Sequence, residues 1–146
     1  MLMLPKTEWA HLIPHAGTMC LLDAVQAWDE CCIHAISAGH ARADNPLRGE
    51  HGLHAVHLAE YGAQAMALHG GLLARERGRD SVRPGRLVSL RDVHLFEEYV
   101  GQLGGHLDVH AECLYADDSG AQYAFRIEHR GRLLASGRAA VIHPAS

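Results

Sequence analysis

Two absences narrow the reading of this 146-residue chain before any motif is considered. Its cysteines, Cys20, Cys31, Cys32 and Cys113, include no Cys-x-x-Cys pair, and two of them are adjacent. That set suits free thiols in a reducing compartment and argues against a disulfide framework. Nor is any apolar stretch long and clean enough to span a membrane, because the best candidate is interrupted by Glu60, Gln64 and His69. The opening MLMLPKTEWAHL has too short an apolar run for a secretory signal, and Pro5 breaks it. A cytoplasmic protein with no membrane partner is therefore expected. Positive charge is not in excess: the formal net charge is −4, which argues against nucleic acid as the main ligand. There is no internal repeat and no low-complexity segment.

What is present suffices for a core. Hydrophobic residues make up 48% of the chain, and the length fits a single domain over residues 1–146. Pro5 and Pro14 bracket a short helix predicted over Thr7–Leu12, with Thr7 as its N-cap. TMCLLDAVQAWDE and CCIHAISAGHARA read as two strands, and DNPLRGEHG as a loop. The segment from about Leu53 to about Arg75 alone has helical length, with Gly78 past its end. The remainder is β-rich. GRLVSLRDVHLFEE alternates through Leu87, Ser89, Arg91, Val93 and Leu95. HLDVHAECLYA sets Leu107, Val109, Ala111, Cys113 and Tyr115 against Asp108, His110 and Glu112. AQYAFRIEH and LLASGRAAVIH follow after the turns DDSG and HRGR. Two strands, one long helix and about four more strands favour an α+β arrangement over parallel βαβ units. In it a single antiparallel sheet curls around a helix that is apolar almost all round, with Leu58, Ala59, Ala63, Met66, Ala67 and Leu73 expected to pack on the sheet.

That helix carries the candidate chemistry. Within its apolar length stand one acid, Glu60, and one amide, Gln64, and His51, His54 and His57 crowd its start. An acid in such a helix is costly unless it is paired or used. Desolvation is expected to raise its pKa, so that it acts as a proton donor. Gln64 reads as a residue that orients Glu60 or caps a backbone group. His57 lies three residues before Glu60, so the two share a helix face. The spacing His51, His54, His57 resembles a ligand run, but on a helix it drifts around the axis and does not converge, so no metal is expected. The run ARERGRDSVRPGR after the helix holds Arg75, Arg77, Arg79, Arg83 and Arg86, a cationic segment suited to phosphate or to an acidic partner.

LIPHAGTMCLLDAV, AEYGAQAMALHGGL, GRLVSLRDVHLF and LLASGRAAVI resemble the opening, the central-helix motif and the later strands of the β-hydroxyacyl-acyl carrier protein dehydratases. The likeness is strongest to the divergent dehydratase-like branch of aryl polyene and related polyketide-type gene clusters. It implies the hotdog fold, a long helix wrapped by an antiparallel sheet. It also implies dimers whose sheets join edge to edge, with active sites at the interface. By this resemblance Glu60 is the family's helix acid and Gln64 its following amide. The Ala55 N–H takes the place of the backbone donor that holds the thioester carbonyl. The loop position of the family's catalytic histidine falls on Pro46, and His15 matches a residue that looks structural.

Dehydration of a 3-hydroxyacyl thioester needs a base for the alpha proton, an acid for the leaving hydroxyl and donors at the carbonyl. Glu60 suits the acid and His57 or His54 the base, while Ala55, Gln64 and His51 would line the substrate. The expected partner is an acyl carrier protein bearing a phosphopantetheine-linked acyl chain, within a homodimer or a hetero-oligomer with a related hotdog subunit. No cofactor is called for. Conversion of 3-hydroxyacyl-carrier thioesters to trans-2-enoyl thioesters, in fatty acid or polyketide-type biosynthesis, is the leading reading. A non-catalytic hotdog partner subunit and an acyl thioesterase are the alternatives.

Overall fold

The computed structural model describes residues 3–14, 17–78 and 85–143. His15, Arg79 and Arg83 lie outside the described residues. In chain order the elements are β1 (Leu4–Pro5), β2 (Ala24–Trp28), β3 (Cys32–Ser37), α1 (Leu58–Glu76), β4 (Arg86–Leu95), β5 (Leu107–Asp117), β6 (Gly120–His129) and β7 (Arg132–Ile142). The strands form one sheet in the order β1-β2-β3-β5-β6-β7-β4, antiparallel at every pairing. The sheet closes over α1, which packs on β3, β5, β6 and β7. This is the α+β arrangement expected from the element order, and it is the hotdog fold that the resemblance implies.

Periodicity explains the core. From α1, Leu58, Leu68 and Leu72 are fully buried, and from the strands so are Ile33, Val109, Ile127 and Leu134. Each such side chain contributes about 1.5–3 kcal/mol through loss of apolar surface from water. In β5 the predicted alternation holds through Leu107, Val109 and Ala111. It then fails at a bulge between Cys113 and Tyr115, which leaves Tyr115 exposed. β6 and β7 meet in a two-residue turn with Arg130 and Gly131 at φ 51° and 82°, as the HRGR hairpin requires.

Several boundaries differ from expectation, each for a tertiary reason. The helix begins at Leu58, after a 3-10 turn over Ala55–His57, and not at Leu53. Leu53 and His54 are held extended instead, by the His54–Tyr99 bridge and by Val100 N–H donating to Leu53 O at 2.9 Å. The first long strand starts at Ala24; Gly17–Met19 forms a 3-10 turn. The Thr7 helix resolves into 3-10 turns over Lys6–Glu8 and Ala10–Leu12, with Pro5 at the first cap position. The strict alternation read in β4 is broken by two register shifts, one centred near Asp92, whose φ is 54°. Of the helix residues expected on the sheet, Leu58 and Met66 are buried, Ala59 and Ala67 are half-buried and packed against the core, and Ala63 and Leu73 are half-buried. The inner face is built by Tyr61, Gly62, Ala65, Leu68, His69 and Leu72.

The Phe125 ring is clamped between α1 and β7. A Cβ on Gly62 would lie 2.6 Å from its Cγ and Cδ1, and one on Gly137 would lie 2.7 Å from its Cζ. Gly62→Ala is expected to destabilise the protein by about 1–3 kcal/mol, because neither ring nor backbone can withdraw. Gly70→Ala, where nothing lies within 4 Å of the added carbon, should instead stabilise it by about 0.5–1 kcal/mol. Urea denaturation of the two variants checks this opposition.

A second prediction concerns pH. His40 and His69 are fully buried, and burial is the main force holding both below the ordinary histidine pKa. His110, half-buried and stacked on His34 at 4.2 Å, is lowered chiefly by burial and then by that neighbour. In each case the unfolded chain binds the proton more readily than the folded one. Stability is therefore full above the ordinary histidine pKa of about 6.5. It is expected to fall as pH drops from there toward the lower folded values. Melting temperatures recorded between neutral and mildly acidic pH test the sign.

Candidate active site

The start of α1 is fixed from three sides. His54 occupies the extended position before the 3-10 turn, and its Nδ1 accepts the Val56 N–H at 3.0 Å. Its ring meets the edge of Tyr99 with centroids 5.1 Å apart. The Ala55 N–H donates to Glu98 O at 2.8 Å, and the His57 N–H to His54 O at 3.1 Å. The segment 98–100 thus holds the mouth of the helix against the sheet.

One turn further in, Gln64 is fully buried and every part of its amide is engaged. Its Oε1 accepts the Leu21 N–H at 2.9 Å, and its Nε2 donates to Met19 O at 2.7 Å and to Glu60 Oε1 at 3.4 Å. The amide therefore ties the helix to the 19–21 segment and restrains the Glu60 carboxylate. Ser37 Oγ completes the segment by donating to Leu21 O at 2.5 Å. These bonds explain why β2 starts late: the Leu21 N–H and the Met19 and Leu21 carbonyls are satisfied by side chains rather than by a neighbouring strand. Glu60 itself is half-buried on the outer flank of the helix.

The histidines are placed less simply than their spacing suggests. His51 is exposed, with its ring 6.1 Å from Tyr99. His54 uses the Nδ1 lone pair as a cap. Its Nδ1 is thus engaged by backbone, and its Nε2 is the ring nitrogen left for other contacts. His57 is half-buried at the helix start, and among the described residues its ring makes no hydrogen bond. The Ala55 N–H, expected to hold a thioester carbonyl, is taken by Glu98 O, because the strand-like pairing around Tyr99 claims it first. No cluster suited to a metal ion occurs among the described residues.

Two residues that build this region were missed in the sequence. Asn45 Nδ2 donates to Gly39 O and to the Tyr61 hydroxyl, both at 3.0 Å, while its Oδ1 accepts the Leu47 N–H at 2.9 Å. Tyr61 is fully buried beside Glu60 in sequence, and burial raises its pKa, so it remains a neutral phenol. The available signals were an amide next to a proline in a loop and a lone phenol in an apolar helix. Together they pin the loop carrying Pro46. That loop lines a cavity of about 210 Å³ with Lys6, Cys20, Leu21 and Arg42. Its cations are balanced in place, Lys6 by Asp23 at 3.6 Å and Arg42 by Asp44 at 2.8 Å. Glu60 is not among the residues that line this cavity.

Gln64→Leu removes the amide while keeping similar bulk. It strands the buried Leu21 N–H and removes the partner of the Met19 carbonyl, and is expected to cost about 1–3 kcal/mol of stability. Equilibrium unfolding measures the loss. An unchanged midpoint would show that the 19–21 segment does not depend on the helix.

Comparison with known proteins agrees with this geometry. A search of curated proteins gives no match. Among solved structures, the dehydratase heterocomplex ApeI:P from Xenorhabdus doucetiae is 25% identical over 98% of this chain and 93% of that one, with a TM-score of 0.85. AziG from S. sahachiroi is 20% identical over 84% of this chain and 90% of its own, with a TM-score of 0.57. A hypothetical thioesterase with coenzyme A from Streptococcus pneumoniae TIGR4 is 13% identical over 84% and 85%, with a TM-score of 0.62. The latter two likenesses show the shared fold. Residues 7–146 match the family described as ApeP-like, the ApeP dehydratases. With its acid and amide held at the start of a sheet-wrapped helix, and this match running nearly end to end, the chain belongs to the ApeP-like dehydratase family.

Proposed function

We propose that the chain dehydrates 3-hydroxyacyl-acyl carrier protein thioesters to trans-2-enoyl thioesters, in aryl polyene-like or related polyketide or fatty acid biosynthesis. It does so as one subunit of a hotdog assembly. The observation that carries this reading is the Gln64 amide, which restrains Glu60 at the start of α1 in a chain of a dehydratase family. Glu60 donates the proton to the leaving hydroxyl. An imidazole removes the alpha proton. His57 stands at the N-cap of α1, and among the described residues its ring makes no hydrogen bond, so it is the base we assign. His51 at the exposed rim contacts the incoming arm. Acid and base need not touch, because the substrate lies between them.

Assembly completes the site. β4 is the free edge of the sheet, exposed along nearly its whole length. It presents Leu87, Val88, Leu90, Val93 and Leu95, with Phe96 just beyond it. A long apolar edge is a liability unless it is covered. A related hotdog subunit, or a second copy, is its natural cover, and the ApeI:P heterocomplex has a comparable fold. The same contact would shield the outer flank of α1, where Glu60 lies. The cationic segment after α1 is the docking face we assign to the carrier protein, although Arg75 is partly committed, donating to Glu8 O at 2.8 Å.

A competing reading has a specific observation behind it. Pro46 stands where the resemblance places the catalytic histidine, and His54 is engaged as a cap, which suits a non-catalytic subunit that shapes a partner's channel. Purified chain, alone and combined with a related hotdog dehydratase subunit, can be incubated with a 3-hydroxyacyl-carrier thioester and followed by mass spectrometry for loss of water or of the acyl group. Dehydration is expected, with Glu60→Gln lowering the rate by about 100-fold or more. Full activity in the Glu60→Gln assembly would assign the chain the non-catalytic role, and release of the acyl group would make it a thioesterase. Light scattering at micromolar concentration should show a dimer or larger, and a monomer would remove the basis for the covered edge.

A further inference from the structure

Outside the helix start, the most specific chemistry lies at the end of the β2–β3 turn. The register of β3 on β5 pairs Ile33 with Ala111 and Cys32 with Glu112. Continued by one step it sets Cys31 opposite Cys113, and the Cys113 N–H donates to Cys31 O at 2.7 Å, closing the ladder there. Directly opposed residues of an antiparallel pair have Cα atoms roughly 4.5–5.5 Å apart. That separation falls within the range a disulfide spans, roughly 4.4–6.8 Å. Cys32, by contrast, sends its sulfur to the other face, 4.0 Å from Glu112 Oε2.

We propose that Cys31 and Cys113 form a thiol–disulfide modification site, oxidised by low-molecular-weight disulfides. The division of labour follows from their surroundings. Cys31 is exposed, just outside β3, in a turn organised by Asp29 Oδ1, which accepts the Cys31 and Cys32 N–H groups at 2.8 Å each. Its thiolate attacks the small disulfide, forming a mixed disulfide and releasing one small thiol. Cys113 is half-buried, and burial pushes its thiol pKa up, so it does not initiate. It gives its proton to solvent and attacks the Cys31 sulfur, and the second small thiol leaves. Two protein thiols and one small disulfide thus become one protein disulfide and two small thiols, with two electrons passing to the small disulfide. Closing the bond needs about 1 Å of approach between Cβ atoms, because opposed side chains start about 4.5–5.5 Å apart. The turn end can supply this, since Cys31 precedes the strand.

The bond would fasten that turn to β5 beside a buried polar line. His69, in the middle of α1, donates from Nε2 to Asp29 O at 2.8 Å and accepts the Tyr123 hydroxyl at 2.6 Å, and Tyr123 in turn contacts the Cys113 thiol. Oxidation would therefore exchange the Cys113–Tyr123 contact for a covalent tie across the end of the sheet.

The test uses the full chain in glutathione buffers of graded oxidation, read by intact mass and non-reducing peptide mapping. Wild type is expected to lose two hydrogens, with Cys31 and Cys113 in one cross-linked peptide pair. Cys113→Ser should accumulate a glutathione adduct at Cys31, because nothing resolves it. Cys20→Ser, altering a buried thiol away from the pair, should leave the cross-link unchanged. A wild-type map showing only glutathione adducts, a Cys31–Cys32 bond, or a bond between two copies would overturn the proposal. If Cys113→Ser does not fold, the wild-type map alone decides.

Discussion

A 19-residue helix enclosed by a sheet imposes one rule: every polar group that it carries inward must find its partner inside the protein. Gln64 and His69 are the two fully buried polar side chains of α1, and both meet the rule by reaching backbone. Gln64 takes the Met19 carbonyl and the Leu21 N–H; His69 takes the Asp29 carbonyl and the Tyr123 hydroxyl. Each therefore welds the helix to a segment that would otherwise be loop. The path of the chain from Met19 to Leu21, and the anchoring of the β2–β3 turn, follow from the demands of two side chains on a different element.

The same rule separates the carboxylate from the rest of the helix. Glu60 is one turn before Gln64, so it leans on the amide from the outer flank without entering the core. Half-burial leaves Glu60 restrained by the amide without the full cost of placing a carboxylate in the core. The stripe formed by Ala59, Ala63 and Ala67 consists of small residues, over which another helix or sheet can approach closely. The exposed β4 edge lies in the same chain with a row of large apolar side chains.

The histidines show why residue type and spacing are weak guides to role. All three near the helix start share one chemistry in isolation. The structure differentiates them by what reaches their nitrogens: His54 is consumed as a cap by the Val56 N–H, His51 rests on the rim near Tyr99, and His57 keeps its ring unengaged among the described residues. Similarly, the donor at Ala55 is a property of the backbone, and the pairing of residues 98–100 with the helix mouth decides whom it serves.

The sequence by itself determined the fold class, the single helix, the order of the major strands and the two hairpins. These depend on periodicity and turn chemistry, which are local and written in consecutive residues. It also singled out Glu60 and Gln64, since a charge or an amide in an apolar helix is conspicuous on a line of text. Only the tertiary structure decided where α1 begins, which flank of it faces inward, which histidine keeps a free lone pair and what Asn45 holds. Each of these turns on contacts between segments distant in sequence: Leu53 with Val100, Leu21 with Gln64, Asn45 with Tyr61. A backbone N–H has the same local chemistry wherever it stands, and the competition for it is settled only when the chain has folded around it.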